Sequence, residues 1–197
     1  KEKNLAVELL KKLIAEQVSV YRRTNVVKSE KFSEIMQRAI NAYLNGMLTN
    51  EEVIEEMLKL AKQIAADQKE GDKLGLTADE LAFYDALTKP QAIKDFYENE
   101  ELIAITKELA DTLRKNKTID WQRRESARAK MRMLIKKLLK KHKYPPEGMD
   151  DAVQTVMTQC ELWTDNYNFE EDYNVYSYMN HTNEILPLIA EGKGKYN

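Results

Sequence analysis

The stretch RRESARAKMRMLIKKLLKKHKYPP, residues 123–146, decides how this chain is read. Ten Lys or Arg fall between Arg123 and Lys143, against one acid, Glu125. From Met131, the residues Ala127, Leu134, Ile135, Leu138 and Leu139 recur at three- and four-residue steps and their multiples. That spacing is one face of an α-helix. Lys130, Lys136, Lys137, Lys140, Lys141 and Lys143 point the other way. The spacing therefore predicts an amphipathic helix with an apolar inner face and a lysine-rich outer face. Asp120 is expected to cap it. Pro145-Pro146 ends it, because a residue before proline avoids helical backbone angles.

The same period recurs along most of the 197 residues. Residues 4–21 place Leu9, Leu10, Leu13, Ile14, Val18 and Tyr21 on one stripe. A second helix is expected after Ser29, stopped by Asn45-Gly46. Thr49 with Glu52, and Thr77 with Glu80, have the spacing of capping boxes and open two more helices. Leu76 is placed to staple against Leu81. Residues 100–115 and 150–163 complete the set. No segment alternates as a strand would. The expected fold is all-α, an irregular bundle of about seven helices. Residues 1–163 form the helical domain, with a sub-boundary near 88–99. Residues 164–197 form an acidic, Tyr- and Asn-rich C-terminal segment.

A net charge of −2 hides an asymmetry. After the basic helix, residues 144–192 hold no Lys or Arg and ten acids. One expectation is that this acidic part folds against the basic helix and shields it. The plain alternative is that both charge sets are solvated. The lone Cys160 forms no internal disulfide and suits a cytoplasmic location. It reads as a small packed hydrophobe. The chain starts at Lys1 without Met, which suggests a piece of something longer.

Sites of chemistry are hard to find. His142 and His181 lack ligand partners at metal spacing. There is no nucleophile elbow or dinucleotide fingerprint, and GKGK at 192–195 lacks the spacing of a phosphate loop. No catalytic residue, metal site or cofactor is expected in this stretch of chain. What remains are surfaces. Arg123, Lys130, Arg132, Lys136, Lys137, Lys140, Lys141 and Lys143 are candidate phosphate contacts. Without base-reading side chains among them, any grip on DNA is sequence-independent. Asp120, Arg124 and Arg128 follow i, i+4, i+8 into the apolar stripe. They are expected to form a partly buried carboxylate–guanidinium network, with direct DNA contact as the other reading. Tyr167, Phe169, Tyr173, Tyr176 and Tyr178 are candidate partner contacts, since aromatic side chains favour interfaces. Packing back on their own bundle is the alternative.

Three stretches together resemble a known family: GLTADELAFYDAL (75–87), TIDWQRRESARAKMRMLIKKLLKKHKYPP (118–146) and VQTVMTQCE (153–161). The pattern resembled is that of the C-terminal helical region of the restriction, or motor, subunit of type I restriction–modification enzymes. Phe83, Tyr84, Asp85, Ile119, Asp120, Trp121, Arg128, Ala129, Arg132, Tyr144, Pro145 and Pro146 stand at its motif positions. Residues 1–65 are a less distinctive match, and the tail after Asp165 departs from the pattern. The resemblance implies a non-catalytic domain that helps the motor subunit assemble with the methyltransferase core (modification and specificity subunits). It also implies proximity to double-stranded DNA and to upstream motor domains of the same chain. ATP and Mg would belong to those upstream domains. The alternative from the residues alone is a stand-alone, non-specific nucleic-acid-binding module using the basic helix.

Overall fold

A computed structural model describes residues 2–118 and 120–169, with side chains placed for 5–90, 92–118 and 120–165. Nine helices and no strand occur among the described residues. They are α1 (Glu2–Thr24), α2 (Val26–Leu44), α3 (Asn50–Gln68), α4 (Glu70–Leu74), α5 (Ala78–Leu87), α6 (Gln91–Phe96), α7 (Asn99–Asn116), α8 (Glu125–Lys141) and α9 (Pro146–Phe169). The short helices α4 and α6 account for the excess over the seven expected. None of the described helices is long and apolar enough to cross a membrane.

The described chain divides into two compact units. One holds residues 2–22 and 28–73, the other residues 23–27 and 74–168. The division falls between Lys73 and Leu74, and residues 88–99 lie inside the second unit rather than at a boundary.

The first unit is built on stripes from α1, α2 and α3. Val7, Leu10, Ile14, Val18 and Tyr21 meet Phe32, Val53, Met57, Leu60 and Ile64 in one core. Both capping-box bonds open α3: Glu52 N–H donates to Thr49 Oγ1 at 3.2 Å, and Thr49 N–H donates to Glu52 Oε2 at 2.7 Å. They satisfy amides that the first helical turn leaves free. Gly46, at φ 70°, ends α2 where the sequence placed the stop.

The second unit has a larger core. Helix α5 is buried along Leu81–Leu87, as a helix apolar on every side must be. Its start carries the second capping box, from Thr77 and Glu80. Leu76 and Leu81 are buried in the same core. Helix α7 packs against both α5 and α8. Trp121, in the loop before α8, is fully buried, and its indole N–H donates to Thr164 Oγ1 at 3.0 Å. This bond satisfies the one polar atom of a large apolar side chain.

Helix α2 begins three residues before the expected Ser29. The cause is tertiary. Gln159 on α9 accepts the Val26 N–H at 2.9 Å and donates to the Thr24 carbonyl at 2.8 Å. A side chain 133 residues away thus supplies a partner for a free first-turn amide. Helix α9 starts at Pro146, where a missing N–H costs nothing. It continues through Thr164 and Asp165, past the end expected at residue 163.

Candidate nucleic-acid interface

Helix α8 buries Met131, Ile135, Leu138 and Leu139 and exposes the opposite face, as its spacing predicts. It begins later than expected. Arg124 is the N-cap, with an extended backbone and no side-chain cap bond. Asp120 lies in the preceding turn and is exposed. The expected Asp120–Arg124–Arg128 network therefore does not form, because residue 120 is outside the helix and the i, i+4, i+8 row does not exist there. Arg128 instead forms an ion pair with Glu161 of α9. Gln122 tightens the same corner, donating to the Glu161 carbonyl and to Asp165 Oδ1, each at 3.1 Å. Glu161 had no sequence signal as this partner, being 33 residues away.

The C-terminal end of α8 is a Schellman motif. Tyr144 N–H donates to the Leu139 carbonyl at 2.9 Å, and Lys143 N–H donates to the Lys140 carbonyl at 3.1 Å. The residue in the left-handed position is Lys143, at φ 58°. Glycine is usual there, because a Cβ is strained in that conformation.

The eight candidate cations separate into two groups. Arg132 pairs with Glu125 at 3.3 Å, Lys136 with Asp150 at 2.8 Å, and Lys141 with Glu108 at 2.6 Å. The other five, Arg123, Lys130, Lys137, Lys140 and Lys143, are exposed. None of the five has an ion-pair partner among the described residues. Lys130, Lys137 and Lys140 line the outer face of α8 around Met133, itself 59% exposed. The rise of a helix, about 1.5 Å per residue, spreads these three lysines over roughly 15 Å. Asp150 and Glu161 are two of the ten acids that follow the basic helix, and they meet Lys136 and Arg128. The acids from Glu170 onward lie outside the described residues.

Glu108 on α7 ties down the end of the basic helix. Lys141 Nζ and His142 Nε2 lie 2.6 Å and 2.7 Å from its two carboxylate oxygens. Lys141, then His142, hold its carboxyl below the ordinary carboxylate value. Close by, Tyr97 donates its hydroxyl to the His142 carbonyl at 2.8 Å. Phe96 sits edge-on against Tyr97, ring centres 4.8 Å apart, and is 60% exposed. In the run Lys94-Asp95-Phe96-Tyr97-Glu98 the buried aromatic is Tyr97 and the exposed one is Phe96, a split not foreseen from the sequence.

A second cation cluster was also missed. Lys117 Nζ lies 4.2 Å from the centre of the Trp163 ring, and the Arg114 guanidinium lies 5.6 Å from it. Burial pushes the Lys117 ammonium below its ordinary value. Trp163 is buried, so this cluster braces the fold. Tyr167 and Phe169 lie in the last turn of α9, with side chains outside those described, and Tyr173, Tyr176 and Tyr178 lie outside the described residues. Among the described residues no three His, Cys, Asp or Glu come together to hold a metal.

Residues 1–166 match the family described as type I restriction enzyme HindI endonuclease subunit-like, C-terminal. The chain belongs to that family. It is 40% identical, over 159 residues, to the type I restriction enzyme HindI endonuclease subunit of Haemophilus influenzae; the match covers 81% of this chain and 15% of the relative. It is 33% identical, over 150 residues, to the putative type I restriction enzyme MjaIXP endonuclease subunit of Methanocaldococcus jannaschii, covering 76% and 14%. The chain thus spans about 15% of the length of these relatives. No solved structure matches it.

In this restriction-subunit domain five of the twelve motif residues belong to the core. Phe83, Tyr84, Asp85, Trp121 and Tyr144 are all buried. Phe83 stands edge-on to Trp163, Tyr84 donates to Asn99 Oδ1, and Tyr144 donates to the Leu87 carbonyl. These five hold the second unit together, while Asp120, Ala129 and Pro146 are exposed and Arg132 is also one of the candidate cations of α8.

Proposed function

We propose that this domain is a non-catalytic part of a type I restriction enzyme endonuclease subunit, one that helps the subunit assemble with the methyltransferase core and assists its hold on DNA. The observation that carries this reading is the row Lys130, Lys137 and Lys140, exposed and without acid partners among the described residues, on a helix whose other face is locked in the core. Cations of that kind neutralise phosphates and release counterions. No Asn or Gln stands among them, so the hold is on the backbone and independent of sequence. In this reading ATP and Mg act in the motor domains upstream in the same chain, where translocation and cleavage take place. The partners are the modification and specificity subunits and double-stranded DNA. The domain supplies surface rather than chemistry.

The test is binding of the chain to a fluorescent duplex across a salt series, with and without the methyltransferase core. With three to five phosphates contacted, the slope of log affinity against log salt is about −2.7 to −4.5. Charge reversal at Lys137 and Lys140 should flatten that slope. Binding to DNA alone favours a self-sufficient nucleic-acid module. Binding only once the core is present favours assembly as the main role. Indifference to both DNA and core would defeat the proposal.

A further inference from the structure

Past the C-terminal end of the basic row on α8 come Lys143, in a left-handed backbone that a lysine rarely adopts, and, by way of Tyr97, the exposed ring of Phe96. The link is short. Phe96 packs edge-on against Tyr97, whose hydroxyl donates to the carbonyl of His142, the residue before Lys143. Tyr97 also lies 6.5 Å from Tyr144, the residue after it. Phe96 thus leans on Tyr97 and keeps most of its ring exposed.

A row of cations leading to an open aromatic face suits one kind of nucleic acid. We infer that the Phe96 end of this surface takes single-stranded DNA, with the backbone along Lys137, Lys140 and Lys143 and an unpaired base on the Phe96 ring. A duplex keeps its base faces inside the stack and offers this ring only sugar and phosphate. A single strand offers a base face, which every nucleotide has. Asp95 and Glu98, both exposed, flank Phe96 and repel phosphate there. That leaves a base, rather than the backbone, as what the ring can hold. Met133, exposed amid the lysines of the same face, adds apolar surface that an unstacked base could cover. This inference rests on the proposed role of α8 in holding DNA and adds which form of DNA meets its end.

The experiment compares a short single-stranded oligonucleotide with a duplex of the same length, both fluorescently labelled, on the full 197-residue chain. The variants are Phe96→Ala, Phe96→Tyr and the pair Lys137→Glu with Lys140→Glu. Phe96 is exposed, so its variants should melt like the parent. Phe96→Ala is expected to weaken single-strand binding by about five- to a hundredfold, the range of one base–aromatic stack. Duplex binding should be unchanged, and Phe96→Tyr should retain the single-strand affinity. Charge reversal at the two lysines should weaken both. Single-strand binding that is lost with the lysines but indifferent to Phe96→Ala overturns this inference and leaves the DNA-holding role standing. If neither DNA form binds, with or without the methyltransferase core, the underlying role falls with it.

Discussion

Asn25 donates its side-chain amide to the carboxylate of Asp85 at 2.7 Å, across 60 residues of sequence. Both are buried. Asn25 stands at the break between α1 and α2, and Gln159 grips the residues on either side of it. Asp85, a motif residue, and Gln159, in the third family-like stretch, are therefore explained by the one-residue break between α1 and α2 rather than by a ligand. Replacing Asn25 with Leu removes a donor from a buried carboxylate. The expected cost is about 1–3 kcal/mol. Urea unfolding of Asn25→Leu measures it, and a change indistinguishable from zero would show that the Asn25–Asp85 bond does not stabilise the fold.

Lys143 holds strained backbone at the end of α8. Substituting glycine relieves the strain at the price of a more flexible unfolded chain. A net gain of about 0.5–1 kcal/mol is expected. On the proposed function, Lys143→Gly should also bind DNA more weakly at low salt. A variant that is more stable and a poorer binder marks a residue kept for its charge. A variant that is less stable shows that the lysine side chain makes a compensating contact.

Glu108 ties acid stability to the basic helix. Its carboxyl is held below 4.5, first by Lys141 and then by His142. A carboxyl lowered on folding stabilises the fold above its unfolded value, and that stabilisation is lost as pH falls through the lower folded value. Glu108→Gln should therefore be less stable than the parent at neutral pH, with the gap closing towards pH 3. Solvent reaches this cluster, so added salt should shrink the gap as well. Thermal melts of both proteins from pH 3 to 7 would show it. A gap that widens in acid contradicts the assignment.

Burial sets the two groups that should be silent at neutral pH. The Cys160 thiol and the Tyr144 hydroxyl are each pushed up to about 12. A group raised on folding favours the fold below its unfolded value and withdraws that support as pH rises towards the folded one. Cys160 should therefore ignore a thiol reagent at pH 8 until denaturant is added. Stability should decline above about pH 9, the ordinary thiol value. Tyr144→Phe should remove part of that alkaline decline. It also loses the 2.7 Å bond to the Leu87 carbonyl, for about 1–2 kcal/mol at neutral pH. Rapid labelling of native Cys160 would show that its helix face opens.

Much of the molecule was legible in short windows of sequence. The capping boxes at Thr49 and Thr77 form as their spacing requires. The inner face of α8 is the one its apolar residues trace. These features depend on residues three or four apart, and a helix brings such residues together whatever surrounds it. The candidate surface was legible only in outline. The eight cations could be named, but not which of them would be neutralised. Lys141 meets an acid 33 residues back on α7, and Lys136 meets Asp150 on the next helix.

By itself, then, the sequence determined seven of the nine described helices, the capped starts of α3 and α5 and the division of α8 into a buried and a charged face, because backbone hydrogen bonding and hydrophobic period are local. The tertiary structure decided that Asp120 stands outside the helix it was expected to cap. It paired Arg128 with Glu161, started α2 early through Gln159, and tied the Phe96–Tyr97 corner to the end of α8 through the His142 carbonyl. Each of these depends on which helices pack side by side. That is settled by burying the most apolar area while leaving no buried polar group unpartnered, a condition on the whole chain at once.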